Sequence, residues 1–175
     1  MRTLIFVKSF ICQTCQSERS IPEITFARTS KRNALVIWFI ISIFALIAQE
    51  ARACIINVTG VNFGSYDVFS NVALHSAGNI NMNCAIDVAY TMALSKGSGT
   101  YEQRVMSNGV HTLDYNLYAA ANRAIVWGDA TIGTATVSGS GTGIGVNHVV
   151  YGHIPALQNV YPGSYSDNII LVLTF

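Results

Sequence analysis

Hydrophobic and polar residues alternate with a period of two along much of the second half of the chain. In IDVAYTMALS, at positions 86–95, the larger apolar side chains fall on one face: Val88, Tyr90, Met92 and Leu94. In HTLDYNLYAA, at positions 111–120, the same spacing groups Leu113, Tyr115 and Leu117. Such alternation is typical of a β-strand with one face on a core and the other in water. Two half-buried strands are therefore predicted.

Shorter β-branched or aromatic runs fill the rest of this region, and turn-forming residues separate them. The runs are RAIVW, TATVS, HVVYGHI and NIILVLTF, and the separators are KGSG, SNG, WGD, SGSGTGIG and YPGSY. Short strands at this spacing favour an antiparallel sandwich or barrel over an α/β fold. Because no stretch after Ala53 has the pattern and caps of an amphipathic helix, the predicted fold class is all-β.

The last predicted strand differs from the others because both of its faces are apolar. Ile169, Leu171, Leu173 and Phe175 point one way, and Ile170 and Val172 point the other. A strand of this kind is expected inside a sheet and covered on both sides. It therefore needs a neighbouring strand that covers its open edge.

Composition and charge change sharply near residue 53, which divides the chain into a leader and a domain. All 14 Gly and all 8 Tyr follow Ala53, and the net charge is +4 over residues 1–53 but −3 over residues 54–175. Residues 34–48 are apolar apart from Ser42, follow Lys31-Arg32 and precede an Ala-x-Ala sequence, which is the order of parts in a secretory signal peptide. This stretch of 15 residues is also shorter than the roughly 18–20 apolar residues that span a bilayer.

We therefore predict a leader over residues 1–53, with its apolar region at 34–48 and cleavage after Ala53, and one exported domain over residues 54–175. No stable membrane anchor remains after that cleavage, and an uncleaved anchor is the alternative. Because signal peptides usually total about 15–30 residues, a translation start downstream of Met1 is a further hypothesis.

Two cysteines follow the junction, Cys54 and Cys84. A lipoprotein signal is one explanation for a cysteine at a cleavage site, but Ala51 and Arg52 match such a signal poorly and lipidation would leave Cys84 alone. In an oxidising compartment the two cysteines can pair. A disulfide between Cys54 and Cys84 is therefore predicted. The Cys12-x-x-Cys15 pair in the leader has no second pair or folded context, so it predicts neither a redox nor a zinc site.

Motifs for catalysis, metal binding or nucleic-acid binding are missing from residues 54–175. There is no G-x-S-x-G or H-E-x-x-H, and the closest two of the four histidines, His148 and His153, are five residues apart, which predicts opposite faces of one strand. The net negative charge disfavours nucleic acid, since phosphate binding needs clustered Lys and Arg. We expect no enzyme activity, no cofactor and no metal. Four aromatic residues, Tyr115, Tyr118, Trp127 and Tyr151, fit a core better than a carbohydrate-binding face.

Residues 54–175 resemble the spore coat U domain, the pilin module of archaic chaperone-usher pili. The resemblance rests on an ordered set of short motifs: Arg104 and Met106, Tyr115-Asn116-Leu117-Tyr118, Trp127-Gly128-Asp129, Tyr151-Gly152, Ile154-Pro155, Gln158, and Gly163-x-Tyr165-x-Asp167. Cys54, the Phe63-Gly64-x-Tyr66 turn and Cys84 match as well.

The resemblance implies an incomplete immunoglobulin-like antiparallel β-sandwich that lacks its final strand. In such a domain a hydrophobic groove lies beside the first and last strands and accepts a strand by β-augmentation. The expected groove residues are Ile55, Val58, Ile169, Leu171, Leu173 and Phe175. The implied partners are a periplasmic pilus chaperone, an outer-membrane usher and neighbouring pilus subunits, and the implied route is export to the periplasm and then to the cell surface.

One departure from the family pattern concerns the segment before Cys54. A polymerising pilin donates a strand of about ten or more residues from ahead of its first cysteine, and an extended chain spans roughly 3.3 Å per residue. If cleavage follows Ala53, no such segment remains, which predicts a terminal or minor subunit. The alternative from another class is a self-sufficient secreted coat or carbohydrate-binding protein that closes its own sandwich.

Overall fold

The computed structural model describes residues 3–6, 54–131 and 133–175. Within those residues all the regular elements are strands, and no helix occurs. In chain order they are β1 (Thr3–Phe6), β2 (Cys54–Thr59), β3 (Asn62–Tyr66), β4 (Leu74–Cys84), β5 (Ala89–Leu94), β6 (Arg104–Asn108), β7 (His111–Tyr118), β8 (Val137–Ser140), β9 (Val146–Ile154) and β10 (Leu171–Thr174).

The larger sheet has five antiparallel strands in the order β2-β4-β9-β7-β6. Strands β4 and β9 form its centre, with a continuous register from Leu74 opposite Ile154 to Met82 opposite Val146. On either side, β2 pairs with β4, and the β6–β7 hairpin joins β9 through Asn116, Leu117 and Tyr118.

The smaller sheet has three antiparallel strands in the order β10-β5-β8. Leu171 lies opposite Leu94 at one end of the β10–β5 pair, and Thr174 lies opposite Thr91 at the other. A separate two-stranded ribbon pairs β1 with β3.

The core lies between the inner faces of the two main sheets. Both predicted alternations are confirmed: Val88, Tyr90, Met92 and Leu94 are buried from the small sheet, and Leu113, Tyr115 and Leu117 from the large one. Ile80, Met82, Val150 and Ile154 complete the large sheet's inner face, and all of these side chains belong to one cluster. The predicted all-β sandwich class is therefore confirmed.

One local prediction is wrong. The run RAIVW at 123–127 is not a strand, because Arg123 adopts a φ of 53° in a turn closed by its N–H on the Ala120 carbonyl, and only Val126 and Trp127 form isolated bridges. The last strand, β10, lies at an edge of its sheet, because no other described strand reaches its second side. This is the open edge for which the sequence predicts a neighbouring strand.

Several predictions fall outside the described residues. These are the apolar region at 34–48, the cleavage site after Ala53 and the Cys12-x-x-Cys15 pair. Within the part that is described, no helix is long and apolar enough to cross a membrane.

Candidate functional site: two free strand edges

Two strands on the path of the predicted groove have a hydrogen-bonded neighbour on one side only within residues 3–6, 54–131 and 133–175. Strand β2 is the first strand of the five-stranded sheet and pairs with β4, and β10 is the first strand of the three-stranded sheet and pairs with β5. Among the described residues no strand pairs with their other edges. Each edge therefore presents a row of backbone N–H and C=O groups, which is the template on which another strand can pair.

The start of β2 and the end of β10 lie at the same end of the sandwich. Cys84, opposite Cys54 in the register, is followed by a turn that leads directly into β5. That turn is fixed to the loop after β8, since Gly143 N–H donates to the Cys84 carbonyl at 3.0 Å and Asp87 N–H donates to the Gly141 carbonyl at 2.9 Å. Strand β10 ends beside the same part of β5. The two free edges thus run in opposite directions, and a strand between them would be parallel to one and antiparallel to the other.

The β10 side chains divide between the core and the surface. Ile169, Leu171 and Leu173 are buried, whereas Val172 is 47% exposed and Phe175 is 56% exposed. The predicted groove residues on this strand therefore include three that already pack in the core of the single chain.

The β2 side chains of the predicted groove point in opposite directions. Val58 packs against the core together with Cys54 and Ile56, whereas Ile55 is 62% exposed on the outer face. Residues three apart in a strand lie on opposite faces, so Ile56 rather than Ile55 shares a face with Val58. The role of these positions in strand acceptance stays a prediction.

The Cys54–Cys84 disulfide is present and ties the edge strand to its neighbour. The two cysteines are directly opposite in the β2–β4 register, with Cα atoms 4.1 Å apart. The bridge therefore fixes β2 on β4 at the end where the exported domain was predicted to begin.

A buried arginine holds the two sheets together near the other end of β10. Arg104 is fully buried at the start of β6, and its guanidinium donates to the Asn116 Oδ1 at 2.6 Å and to the Trp127 carbonyl at 2.7 Å. Its Nε and Nη2 also donate to the carbonyl of Ser95, the residue after β5. Burial lowers the pKa of the Arg104 guanidinium. Three acceptors from separate segments thus converge on one cation.

A second buried network sets where β10 begins. Tyr115 Oη donates to Asp167 Oδ2 at 2.7 Å, and Asp167 Oδ1 accepts from Ser98 N–H at 3.1 Å and from Asn168 N–H at 2.9 Å. Burial, together with the Asp167 charge, raises the pKa of the Tyr115 phenol, so the phenol remains a donor. The carboxylate therefore fixes the chain just before Ile169, a fully buried side chain on the approach to β10.

The four aromatic residues considered in the sequence divide between the core and the outer face of the large sheet. Tyr115 and Trp127 are in the core, as favoured from the sequence, whereas Tyr118 and Tyr151 lie opposite each other on the outer face of the large sheet. His148 and His153 fall on opposite faces of β9, which confirms that prediction.

A cross-strand pair of histidines was not visible in the sequence. His153 lies opposite His75 of β4, with the two Nδ1 atoms 3.3 Å apart. Burial, the His75 ring and the Arg123 charge all lower the pKa of His153. Over the described residues, no three His, Cys, Asp or Glu side chains come together as a metal-binding group.

The Spore Coat Protein U domain model matches residues 40–171 of the chain. The chain belongs to the Spore Coat Protein U domain family. Its relatives include Protein U of Myxococcus xanthus, which is 34% identical over 131 residues, or 66% of this chain and 71% of the relative.

A solved structure shares the fold of the chain. It belongs to the chaperone–tip adhesion subunit pre-assembly complex from archaic chaperone-usher Csu pili of Acinetobacter baumannii. The TM-score is 0.52 at 21% sequence identity, and the match covers 70% of this chain and 39% of that chain. The chain thus spans well under half the length of the solved one, and at this identity the match establishes the fold.

The motifs that carried the resemblance to the Spore Coat Protein U domain form the polar framework of the sandwich. Arg104, Asn116 and Trp127 share one hydrogen-bond network, and Tyr115 and Asp167 share the other. Gln158 forms a third link, accepting from Asp114 N–H at 2.8 Å and donating to the Asp114 carbonyl at 2.9 Å. These residues position the edge strands and do not lie on the free edges themselves.

Proposed function

We propose that the domain is an exported structural subunit of a chaperone-usher surface fibre, and that it acts by accepting a strand from a partner. The observation that carries the proposal is that, among the described strands, β2 and β10 each have a hydrogen-bonded neighbour on one side only, in two different sheets of one sandwich. Family membership and the fold of the Csu pilus relative support it.

The physical basis of strand acceptance is β-augmentation. An added strand satisfies the N–H and C=O groups of the free edges, and its alternate side chains select the partner through pockets. Val172 on the exposed face of β10, and Ile170 just before the strand, give such a strand apolar surface to pack beside. The mechanism is backbone pairing and not a chemical reaction.

The proposed partners are those that the resemblance to chaperone-usher pilins implies. A periplasmic chaperone would supply the strand first, an outer-membrane usher would exchange it, and a neighbouring subunit would supply the final one. Adhesion and biofilm formation are the proposed outcomes at the cell surface. A terminal or minor position in the fibre follows if cleavage after Ala53 leaves no donor segment, and the N-terminal mass of the exported protein tests that point.

A charged residue on the free edge tests the proposal, because lysine on an edge strand opposes pairing with another strand. We propose Val172→Lys on β10, with Val149→Lys on the central strand β9 as the matched control, since both valines are partly exposed. The measured quantity is the amount of the co-expressed chaperone that is recovered with the subunit.

We expect recovery to fall by about tenfold for Val172→Lys, which corresponds to roughly 1.4 kcal/mol, and to be unchanged for Val149→Lys. Amide exchange should also slow in β2 and β10 when the chaperone is bound. Equal recovery of the two variants, or a wild-type domain that is equally stable and monomeric without a chaperone, contradicts the proposal.

The second candidate is a self-sufficient secreted coat or carbohydrate-binding protein. Ile169, Leu171 and Leu173 favour it because they are already buried in the single chain. The outer-face pair Tyr118 and Tyr151 would then be the ligand surface. This candidate predicts that adding a chaperone leaves the melting temperature unchanged.

A further inference from the structure

His75 and His153 form a preformed pair on the outer face of the five-stranded sheet. They lie directly opposite each other in the antiparallel β4–β9 register, at the centre of the sheet. Their ring centroids are 5.0 Å apart, the ring planes are inclined at 34°, and the Nδ1 atoms are 3.3 Å apart. His75 is exposed and His153 is half-buried, so solvent reaches the pair.

The spacing of the two Nδ1 atoms is that of two ligands on one tetrahedral ion. Zinc binds histidine nitrogen at about 2.0–2.1 Å, and two such ligands at the tetrahedral angle are about 3.3–3.4 Å apart. The observed 3.3 Å therefore matches the separation of two such ligands, and each ring would turn so that its Nδ1 lone pair points to the shared ion. The continuous β4–β9 register already holds the two Cα atoms opposite each other. Binding one ion between the two rings therefore does not require the backbone to be ordered first.

We propose that His75 and His153 bind a divalent transition metal through their two Nδ1 atoms, with Zn²⁺ as the ion whose geometry fits best. Water completes the tetrahedron, because the described residues offer no third protein ligand there. In the neutral pair one ring carries its proton on Nδ1 and donates it to the other ring. When the metal binds, that ring moves its proton to Nε2 through solvent, so both Nδ1 lone pairs face the ion and no proton is lost overall.

The surroundings of the histidine pair favour a solvent-accessible site that binds and releases the metal ion reversibly. Structural zinc sites normally use four protein ligands, and this pair supplies two. The Arg123 guanidinium, 6.0 Å from the centre of the neighbouring Tyr151 ring, also opposes a second cation nearby. We therefore expect binding in the micromolar range and not the tight binding of a structural zinc.

The four histidines of the chain supply matched controls. His75→Gln and His153→Gln each remove one proposed ligand. His111→Gln and His148→Gln remove histidines that are engaged elsewhere, His111 stacked on Tyr161 and His148 hydrogen-bonded to Tyr90. Isothermal titration calorimetry of the exported protein with ZnCl₂ at neutral pH should give one site. Its affinity should fall by about tenfold or more in either ligand variant, since even supporting residues of metal sites cost 10–100-fold, and should be unchanged in both controls.

Two further measurements separate loss of the site from loss of the fold. The metal-free melting temperatures of His75→Gln and His153→Gln should match that of the wild type. Nitrogen NMR of the histidine rings should show Zn²⁺ converting both rings to the Nε2–H form. Zinc binding that survives either substitution, no binding at millimolar zinc, or equal losses in the control variants would overturn the proposal. None of these readouts depends on whether the domain accepts a strand.

Discussion

Nε and Nη2 of Arg104 both donate to a single backbone oxygen, that of Ser95, at 3.1 and 2.9 Å. Arg104 begins β6 in the five-stranded sheet, and Ser95 directly follows β5 in the three-stranded sheet. The pair therefore joins the two layers of the sandwich through the core. Because a guanidinium presents its donors in a rigid planar fork, no other side chain can reproduce this arrangement.

Substitution of Arg104 by Lys should strongly destabilise the domain. A single ammonium cannot reach the three acceptors that Arg104 serves, so at least two buried oxygens lose their donors. At roughly 1–3 kcal/mol for each unsatisfied buried group, the free energy of unfolding should fall by about 2–6 kcal/mol. Urea unfolding with an unchanged m-value measures this. Arg123→Lys, near the surface, should stay within about 0.5 kcal/mol of the wild type.

Removing the Asp167 carboxylate should loosen the start of β10. In Asp167→Ala, the buried Tyr115 hydroxyl and the Ser98 N–H lose their acceptor. We expect a loss of about 2–4 kcal/mol in unfolding free energy and faster amide exchange in β10 than in β4. The exposed Glu102→Ala is the control. Equal exchange in β10 for the two variants would show that Asp167 does not anchor the strand.

Gly152 leaves room for an aromatic ring in the core. A Cβ at this position would lie 2.5 Å from the Phe63 ring and 2.7 Å from the Val61 side chain. Gly152→Ala should therefore cost about 1–3 kcal/mol through overpacking. The double variant with Phe63→Leu should recover part of that cost, with a coupling energy of at least about 0.5 kcal/mol. Strict additivity in the double-mutant cycle would contradict this packing explanation.

Loss of the Cys54–Cys84 disulfide should lower stability by about 3–4 kcal/mol, the chain-entropy value for a loop of this length. The measurement is thermal unfolding of a variant with both cysteines changed to serine. Dithiothreitol should lower the melting temperature of the wild type to that of the variant and leave the variant unaffected. A wild type that is insensitive to reductant is the contrary result.

His148 should make the domain less stable in mild acid. Burial lowers the pKa of its ring, whose Nε2 lies 2.8 Å from the Tyr90 hydroxyl. The unfolded chain therefore takes up a proton at a higher pH than the folded chain does. The stability contribution is complete above the ordinary histidine pKa of about 6.5 and is lost as the pH falls towards the lowered value. Between neutral pH and a pH of about 5, the free energy of unfolding should fall less steeply in His148→Gln than in the wild type. A smaller slope should remain from His153, whose pKa is also lowered.

The strands with strict alternation were predictable because one side chain in two must face the core. Strand β4 was missed because its sequence, LHSAGNINMNC, is rich in Asn, Ser and Gly, which usually signal turns. Its period-two pattern is nevertheless present, since Ile80, Met82 and Cys84 are buried between asparagines. Alternation within a polar segment is thus the signal that could have found it.

The burial of Asn116 was not predictable from the alternation of apolar and polar residues. It lies between buried Tyr115 and Leu117, so the simple pattern assigns it to water. Its amide instead donates to the carbonyls of Tyr101 and Glu102, which cover that part of the strand. The pairing of His75 with His153 was hidden for a related reason, because 78 residues separate them and only the β4–β9 register brings them together.

The Cys54–Cys84 disulfide at the start of β2 also affects how the domain responds to a pulling force. An edge strand that is held only by ladder hydrogen bonds can be peeled away one bond at a time when its end is pulled. Because Cys54 is bonded to Cys84, tension applied at the start of β2 passes directly into β4 and from there into β9 at the centre of the sheet. The β2–β4 hydrogen bonds beyond the bridge are then shielded from that tension, so β2 cannot be peeled off from its first residue while the disulfide is intact.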